Sequence, residues 1–330
     1  MTQVMVSEVG PRDGLQSIKQ AMPTAVKHKW IRALADAGLK EIEVASFVPP
    51  KLLPQMADAP EVVREALKIP GITVLALVPN LRGFQDAVAA GAPKVTLTVS
   101  ASEAHSLNNI HMTCAQAIES AKRIVAFRDG LPEGQRPHIE VGISTAFGCS
   151  IQGDVDEDWA IEMAVQLAAA GADTVGLSDS VGYGNPAQVK RMFKRLIAEL
   201  GAKAGGAHLH NTRGQGLANV VAALDAGVTT FDASQGGIGG CPYAPGATGN
   251  IVTEDLVFLL ESMGLDTGID MPKLLDARKF LAEGLPGEPV YGFVPDAGVP
   301  KNYRPARTLS PGAYPLPYPS PKGEGEQRRG

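Results

Sequence analysis

Short β-branched runs alternate with amphipathic, alanine-rich stretches from the N-terminus to about residue 262. The runs Val4–Val9, Glu41–Ala45, Thr73–Val78, Lys94–Val99, His138–Ser144, Thr174–Ser178, Ala207–His210 and Val228–Phe231 read as strands. Helices are expected between them, beginning near Thr24, Ala59, Arg82, Cys114, Asp156, Pro186 and Gly216, with an eighth near Thr253. Pro186 follows Asn185 as an N1 proline follows a capping residue. The phrases Ala37-Gly38-Leu39, Ala90-Gly91-Ala92, Ala170-Gly171-Ala172 and Ala226-Gly227-Val228 each put glycine where a helix stops and a strand begins. Strand–helix units with connections this short imply parallel strands joined by right-handed crossovers. Eight units over roughly 250 residues match a (β/α)8 TIM barrel better than an open doubly wound sheet. No Gly-x-Gly-x-x-Gly follows the first strand, which weakens a dinucleotide-binding alternative.

Beyond the barrel, Met271 to Ala282 reads as one further helix. Leu309 to Gly330 differs in kind: it holds Pro311, Pro315, Pro317, Pro319 and Pro321, then a Lys-Gly-Glu-Gly-Glu run, and reads as a disordered tail. The expected organisation is one barrel domain with a C-terminal extension over residues 1–300, and the tail over 309–330.

Composition narrows the class. The chain has 330 residues, 44% of them hydrophobic and 5% aromatic, so a large core with close helix–sheet packing is within reach. A net charge of -5 without a basic stripe argues against a nucleic-acid partner. No apolar run is long enough to span a membrane. The N-terminus lacks the pattern of a signal peptide, and Cys114, Cys149 and Cys241 are odd in number and widely spaced, which fits a reducing cytoplasm. Cys114 and Cys149 read as small packing residues.

In such a barrel the chemistry sits at the C-terminal ends of the strands. Strand one runs into Gly10-Pro11-Arg12-Asp13-Gly14-Leu15-Gln16, strand two ends in Glu43-Val44-Ala45-Ser46-Phe47, and strand six runs into Ser178-Asp179-Ser180. Strand seven ends in His208-Leu209-His210-Asn211, and strand eight enters the glycine–proline loop Gly236–Asn250, which carries Cys241. Residues two apart on a strand share a face, so His208 and His210 converge. With Asp13 and Asn250 on the same rim they form a candidate divalent-metal site for Mn²⁺, Mg²⁺, Fe²⁺ or Zn²⁺. The alternative is a pair of hydrogen-bonded strand-end histidines. Arg12 could stabilise an enolate or carboxylate, or form a structural ion pair with Asp13 or Glu43. Glu43 and Asp179 are candidate bases, or orienters of the histidines. Cys241 is the thiol in a loop placed to close over a substrate.

Gly10–Gln16, His208-Leu209-His210-Asn211-Thr212 and the loop Gly236–Asn250 resemble the 3-hydroxy-3-methylglutaryl-CoA (HMG-CoA) lyase family of metal-dependent TIM-barrel enzymes, over roughly residues 4 to 300. The resemblance implies retro-Claisen cleavage of a 3-hydroxyacyl-CoA to acetyl-CoA and a keto acid. It implies Mg²⁺ or Mn²⁺ held by Asp13, His208, His210 and Asn250, with His208 counted among the catalytic groups. Arg12 would stabilise the acetyl-CoA enolate, Cys241 would assist from the loop, and Asp179 and Glu43 match acidic positions tied to catalysis. Arg12, Lys19, Ser46 and Glu254 are the expected substrate contacts. An acyl-CoA is the expected partner, and a homodimer or higher homo-oligomer is left open.

Two departures bear on the substrate. Phe147–Gly153 lacks the proline–aromatic–glutamate pattern of many relatives, and Ser17-Ile18 replaces a polar–acidic pair. A citramalyl-CoA or another branched 3-hydroxyacyl-CoA therefore stands as a rival substrate. A Claisen-type acyltransferase synthase is a further alternative, disfavoured by Pro11 before Arg12. A non-catalytic acyl-CoA-binding barrel is a third, disfavoured because all the candidate ligands are present.

Overall fold

The computed structural model describes residues 3–239 and 249–308. Eight strands close a barrel in which each pairs in parallel with its neighbours in sequence, and the last with the first. They are β1 (Met5–Glu8), β2 (Glu41–Ser46), β3 (Thr73–Leu77), β4 (Lys94–Ser100), β5 (His138–Ser144), β6 (Thr174–Asp179), β7 (Ala204–Leu209) and β8 (Thr230–Ala233). Around them lie α1 (Thr24–Asp36), α2 (Ala59–Ala66), α3 (Leu81–Ala90), α4 (Glu103–Ile110), α5 (Cys114–Asp129), α6 (Glu157–Ala169), α7 (Pro186–Leu200), α8 (Gly216–Ala226) and α9 (Thr253–Ser262). Then follow α10 (Met271–Ala277), α11 (Lys279–Gly284) and α12 (Phe293–Ala297).

The repeated glycine phrase does what its chemistry suggests. Gly38, Gly91, Gly171 and Gly227 all take positive φ, between 88° and 107°, which ends each helix and turns the chain toward the next strand. Asn185 caps α7 by accepting the backbone N–H of Gln188, with Pro186 inside the first turn. The core lies between barrel and helices, where Trp30 and Ile31 of α1, Phe84 of α3, Phe193 of α7 and Phe231 of β8 are fully buried. Cys114 and Cys149 are buried free thiols.

Three expectations need correction. Between β4 and the Cys114 helix stands a separate helix, α4, capped by the Ser102 hydroxyl and ended by His111 at φ 55°. The segment from Met271 is two helices, because at Arg278 the backbone N–H bonds three residues back, to Leu275, which tightens the turn and breaks the ladder. Strand eight runs two residues further than expected, to Ala233, so Asp232 belongs to the barrel wall. The proline-rich tail expected over 309–330 lies outside the described residues.

A candidate metal centre at the barrel mouth

The first functional segment is shaped by one carbonyl. After β1, the C=O of Val9 accepts from the N–H groups of Arg12, Asp13 and Gly14, winding Gly10–Gly14 into a single wide helical turn. That turn holds Arg12 and Asp13 over the barrel mouth. Arg12, 7% exposed, donates from Nε to Glu43 Oε2 at 2.6 Å and from Nη1 to Asp13 Oδ1 at 2.5 Å. Asp13 also accepts from Nδ2 of Asn250 at 2.6 Å.

Opposite stand His208 of β7 and His210 just past its end. His208 Nε2 and His210 Nε2 lie 3.2 Å apart. One ligand atom each from Asp13, His208 and His210 can be chosen within 4.8 Å of one another. His208 Nδ1 is 3.0 Å from Asp232 Oδ2. Asn250 arrives from the far end of the glycine loop: Asn211 N–H donates to the Gly249 carbonyl and Ile251 N–H to Leu209, laying the returning chain along the end of β7. The loop departs at Gly239, whose φ is 109° and where a Cβ would sit 2.7 Å from the Asn250 amide nitrogen. Both ends of the loop therefore touch the cluster. Residues 240–248, with Cys241, lie outside the described residues, so the lid expected there is not part of the described structure.

Ionisation in the cluster follows from burial set against neighbours. Burial raises Asp13, but Arg12 and then the two histidines outweigh it and hold the carboxyl at about 2. Burial pushes Glu43 up to about 7, against the pull of Arg12. Burial lowers His208, yet its hydrogen bond to Asp232 and the nearby carboxylates leave it above its ordinary value. His210, buried and beside His208, drops to about 3.

The donor set fits a divalent cation. Asn250 Oδ1 and Glu43 Oε1 are buried acceptors with no hydrogen-bond donor. Among the described residues, the carboxylates of Asp13, Glu41, Glu43 and Glu140 share only Arg12 and Lys94 as ion-pair partners, and Asp232 lies against His208. Unpaired acceptors and crowded carboxylates in a low-dielectric interior favour an added cation. Imidazole nitrogen with carboxylate and amide oxygen suits a borderline or hard dication.

Other residues singled out from the sequence fall elsewhere. Asp179 is fully buried, with Oδ1 accepting from Tyr183 N–H and Oδ2 from Gly184 N–H, so it shapes the loop after β6. The acid that holds a histidine ring nitrogen at the mouth is neither Asp179 nor Glu43 but Asp232, which is not among the residues the sequence pattern singles out. Ser46 is buried and borders a cavity of about 530 Å³ whose lining, which includes Phe47, Pro49 and Asn80, contains none of the cluster residues. Lys19 is exposed. Glu254 has no accessible surface, and it pairs with Arg278 at 2.7 Å while accepting from Gly236 N–H. These contacts tie Glu254 to Arg278 and to the start of the glycine loop.

Beside it lies Glu8, which accepts from the N–H groups of Gly10 and Gln235 and from the Thr253 hydroxyl. Burial pushes its carboxyl to about 8, despite those bonds. An acid raised this way adds stability below its unfolded pKa of 4.5 and loses it as pH climbs toward 8. Glu8→Gln keeps the shape and the acceptor oxygen but cannot ionise. Thermal unfolding should therefore show the wild-type Tm declining from pH 5 to 9 and a flatter profile in the variant; parallel profiles would contradict the assignment.

The closed parallel barrel with a histidine–carboxylate cluster at its mouth places the chain among TIM barrels with a candidate metal centre, and comparison with known proteins gives the family. The HMGL-like family model matches residues 3–281, and the chain belongs to that family. Hydroxymethylglutaryl-CoA lyase, mitochondrial, of Gallus gallus is 40% identical over 282 residues, covering 86% of this chain and 93% of the relative. The 3-hydroxy-3-methylglutaryl-CoA lyase, cytoplasmic, of Mus musculus is 38% identical over 282 residues, covering 86% of this chain and 81% of the relative. The solved HMG-CoA lyase of Acinetobacter baumannii, in complex with coenzyme A and 3-methylmalate, superposes with a TM-score of 0.85 at 37% identity, covering 92% of this chain and 97% of that one.

Proposed function

We propose that the protein is a carbon–carbon lyase that cleaves HMG-CoA to acetyl-CoA and acetoacetate with a divalent cation, Mg²⁺ or Mn²⁺, at Asp13, His208, His210 and Asn250. The observation that carries this reading is the convergence of those four residues with Arg12 at the mouth of a family barrel. When bound, the cation supplies Lewis acidity that lowers the substrate hydroxyl pKa and polarises the forming ketone.

The remaining chemistry falls to the chain. The hydroxyl proton must leave, the bond between the carbinol carbon and the carbon next to the thioester must break, and the resulting enolate must gain a proton. Glu43 is suited to take the hydroxyl proton, because its Oε1 has no hydrogen-bond donor and its carboxyl sits near 7, within reach of protonation at neutral pH. Asp179, with both oxygens engaged by backbone N–H groups, is less suited. Arg12, held from two sides by Glu43 and Asp13, offers a fixed positive charge to the enolate oxygen. Cys241 is the proposed proton donor from the loop.

The acyl group is proposed to enter the barrel mouth. Thr98 is exposed although it lies mid-strand in β4 between the buried Leu97 and Val99, so the barrel is open to that depth. We read residues 1–300 as one lyase domain. No helix among the described residues is long and apolar enough to cross a membrane. The proposed setting is the cytoplasm, with leucine-derived or related acyl-CoA as substrate. Supplying purified protein and Mn²⁺ with HMG-CoA and citramalyl-CoA in separate reactions, and following acetyl-CoA release, tests the reading. Release from HMG-CoA supports it; release from citramalyl-CoA alone moves the substrate; release from neither, with metal bound, overturns it.

A further inference from the structure

His208 needs a fixed tautomer to serve as a ligand, because a neutral imidazole offers one lone pair and which nitrogen carries it depends on what the other nitrogen bonds. One contact of His208 bears directly on that choice. Asp232 Oδ2 lies 3.0 Å from His208 Nδ1. A carboxylate can only accept, so Nδ1 carries the hydrogen and Nε2 is left as the nitrogen facing His210.

The pairing is built into the sheet. Asp232 is in register with His208 on β7 and with Ser7 on β1, so its backbone is held from both sides. Its neighbours Phe231 and Ala233 are wholly buried against the outer core, which by strand alternation turns Asp232 inward. No competing cation among the described residues takes it. Lys94, the interior lysine of the ion-pair network, bridges Glu41 at 2.9 Å and Glu140 at 2.7 Å. The other acids at the mouth are engaged as well: Glu43 holds Arg12, and Asp179 holds the N–H groups of Tyr183 and Gly184. His210 differs, for its Nδ1 is buried with no partner, and its backbone is bridged to Asn250 instead.

We propose that Asp232 is the positioning residue of the centre: by accepting the Nδ1–H of His208 it fixes the tautomer and ring plane that present Nε2 beside Asp13 and His210. This rests on the reading that those residues hold a cation. Partners of this kind influence metal affinity by about 10- to 100-fold. Asp232 touches neither substrate nor metal in this role and acts through the imidazole.

The test uses the purified full chain stripped of metal. Mn²⁺ affinity is measured by calorimetry for wild type, Asp232→Asn, Asp232→Ala and Glu140→Gln, alongside the Tm of each metal-free protein. Asparagine keeps the shape but no longer dictates the tautomer. Glu140→Gln removes a charge from the same interior without touching His208. The expected result is about 10- to 100-fold weaker Mn²⁺ binding for Asp232→Asn, with little change for Glu140→Gln and a metal-free Tm close to wild type for Asp232→Asn. Equal affinity of wild type and Asp232→Asn would overturn the proposal, as would equal weakening by Glu140→Gln, which would make the effect one of field alone. Imidazole ¹⁵N shifts of metal-free protein at pH 8 supply a second readout: His208 should be Nδ1–H in wild type and mixed in Asp232→Asn. An unbiased mixture in wild type would overturn the proposal even if no metal binds. Absence of Mn²⁺ binding by wild type would instead strike the cation reading.

Discussion

Replacing Arg12 by glutamine is expected to lower kcat by about 10²- to 10³-fold while Mn²⁺ still binds with unchanged stoichiometry. The magnitude is that of removing one preorganised group aimed at developing negative charge. Glutamine is shorter, keeps a single amide donor and lacks both the charge and the forked guanidinium, so the enolate oxygen would lose its cation. Two side effects follow from the geometry. Asp13 loses the neighbour that most lowers its pKa, so its carboxyl should rise from about 2 and the acid limb of the activity profile should move upward. Glu43 loses its buried partner, an event that costs about 3–5 kcal/mol when the remaining charge cannot neutralise. Here Glu43 already sits near 7 and can take up a proton, so the Tm loss should be smaller at pH 6 than at pH 8. Arg12→Lys should not restore the rate, because one ammonium cannot reach Glu43 and Asp13 in the forked geometry seen for the guanidinium. Near-wild-type kcat in Arg12→Gln would remove the arginine from the chemistry.

His210→Ala is expected to abolish activity through the metal. If His210 is a ligand as proposed, its loss should weaken Mn²⁺ binding by at least about 10²-fold, the upper end of what outer partners achieve. The fold should survive, because His210 Nδ1 makes no hydrogen bond in the protein and the backbone bridge to Asn250 does not need the ring. Metal-free protein should therefore still unfold cooperatively, its Tm lowered only by the cavity the buried ring leaves, while bound metal, counted by atomic absorption after dialysis, falls to background. Full metal occupancy in the variant would show that the ring is not a ligand.

Much of the barrel was legible because its signals are local. Helix-ending glycines such as Gly38 and Gly227 act through their own φ, and β-branched runs declare strands without reference to the rest of the chain. The His-x-His pair was legible for the same reason, since strand alternation alone brings both rings to one face. What sequence could not supply was depth and partnership. Glu254 and Asp179 are acids at the right ends of the right elements, yet only the structure shows that both are buried, Asp179 holding the N–H groups of Tyr183 and Gly184 and Glu254 holding Arg278 and the N–H of Gly236. Asp232 was invisible because strand eight was expected to stop at Phe231; two more residues of pairing place its carboxylate against His208. The break at Arg278 likewise depends on a tertiary demand, the reach of its guanidinium to Glu254 and the Tyr291 carbonyl.

Cleavage of HMG-CoA enabled by one cation at Asp13, His208, His210 and Asn250 is tested most directly by acetyl-CoA release from chelator-stripped protein titrated with Mn²⁺. No release is expected without metal, with full recovery at one equivalent bound per chain. Release that is undiminished after complete removal of metal would contradict the cation's part in the reaction.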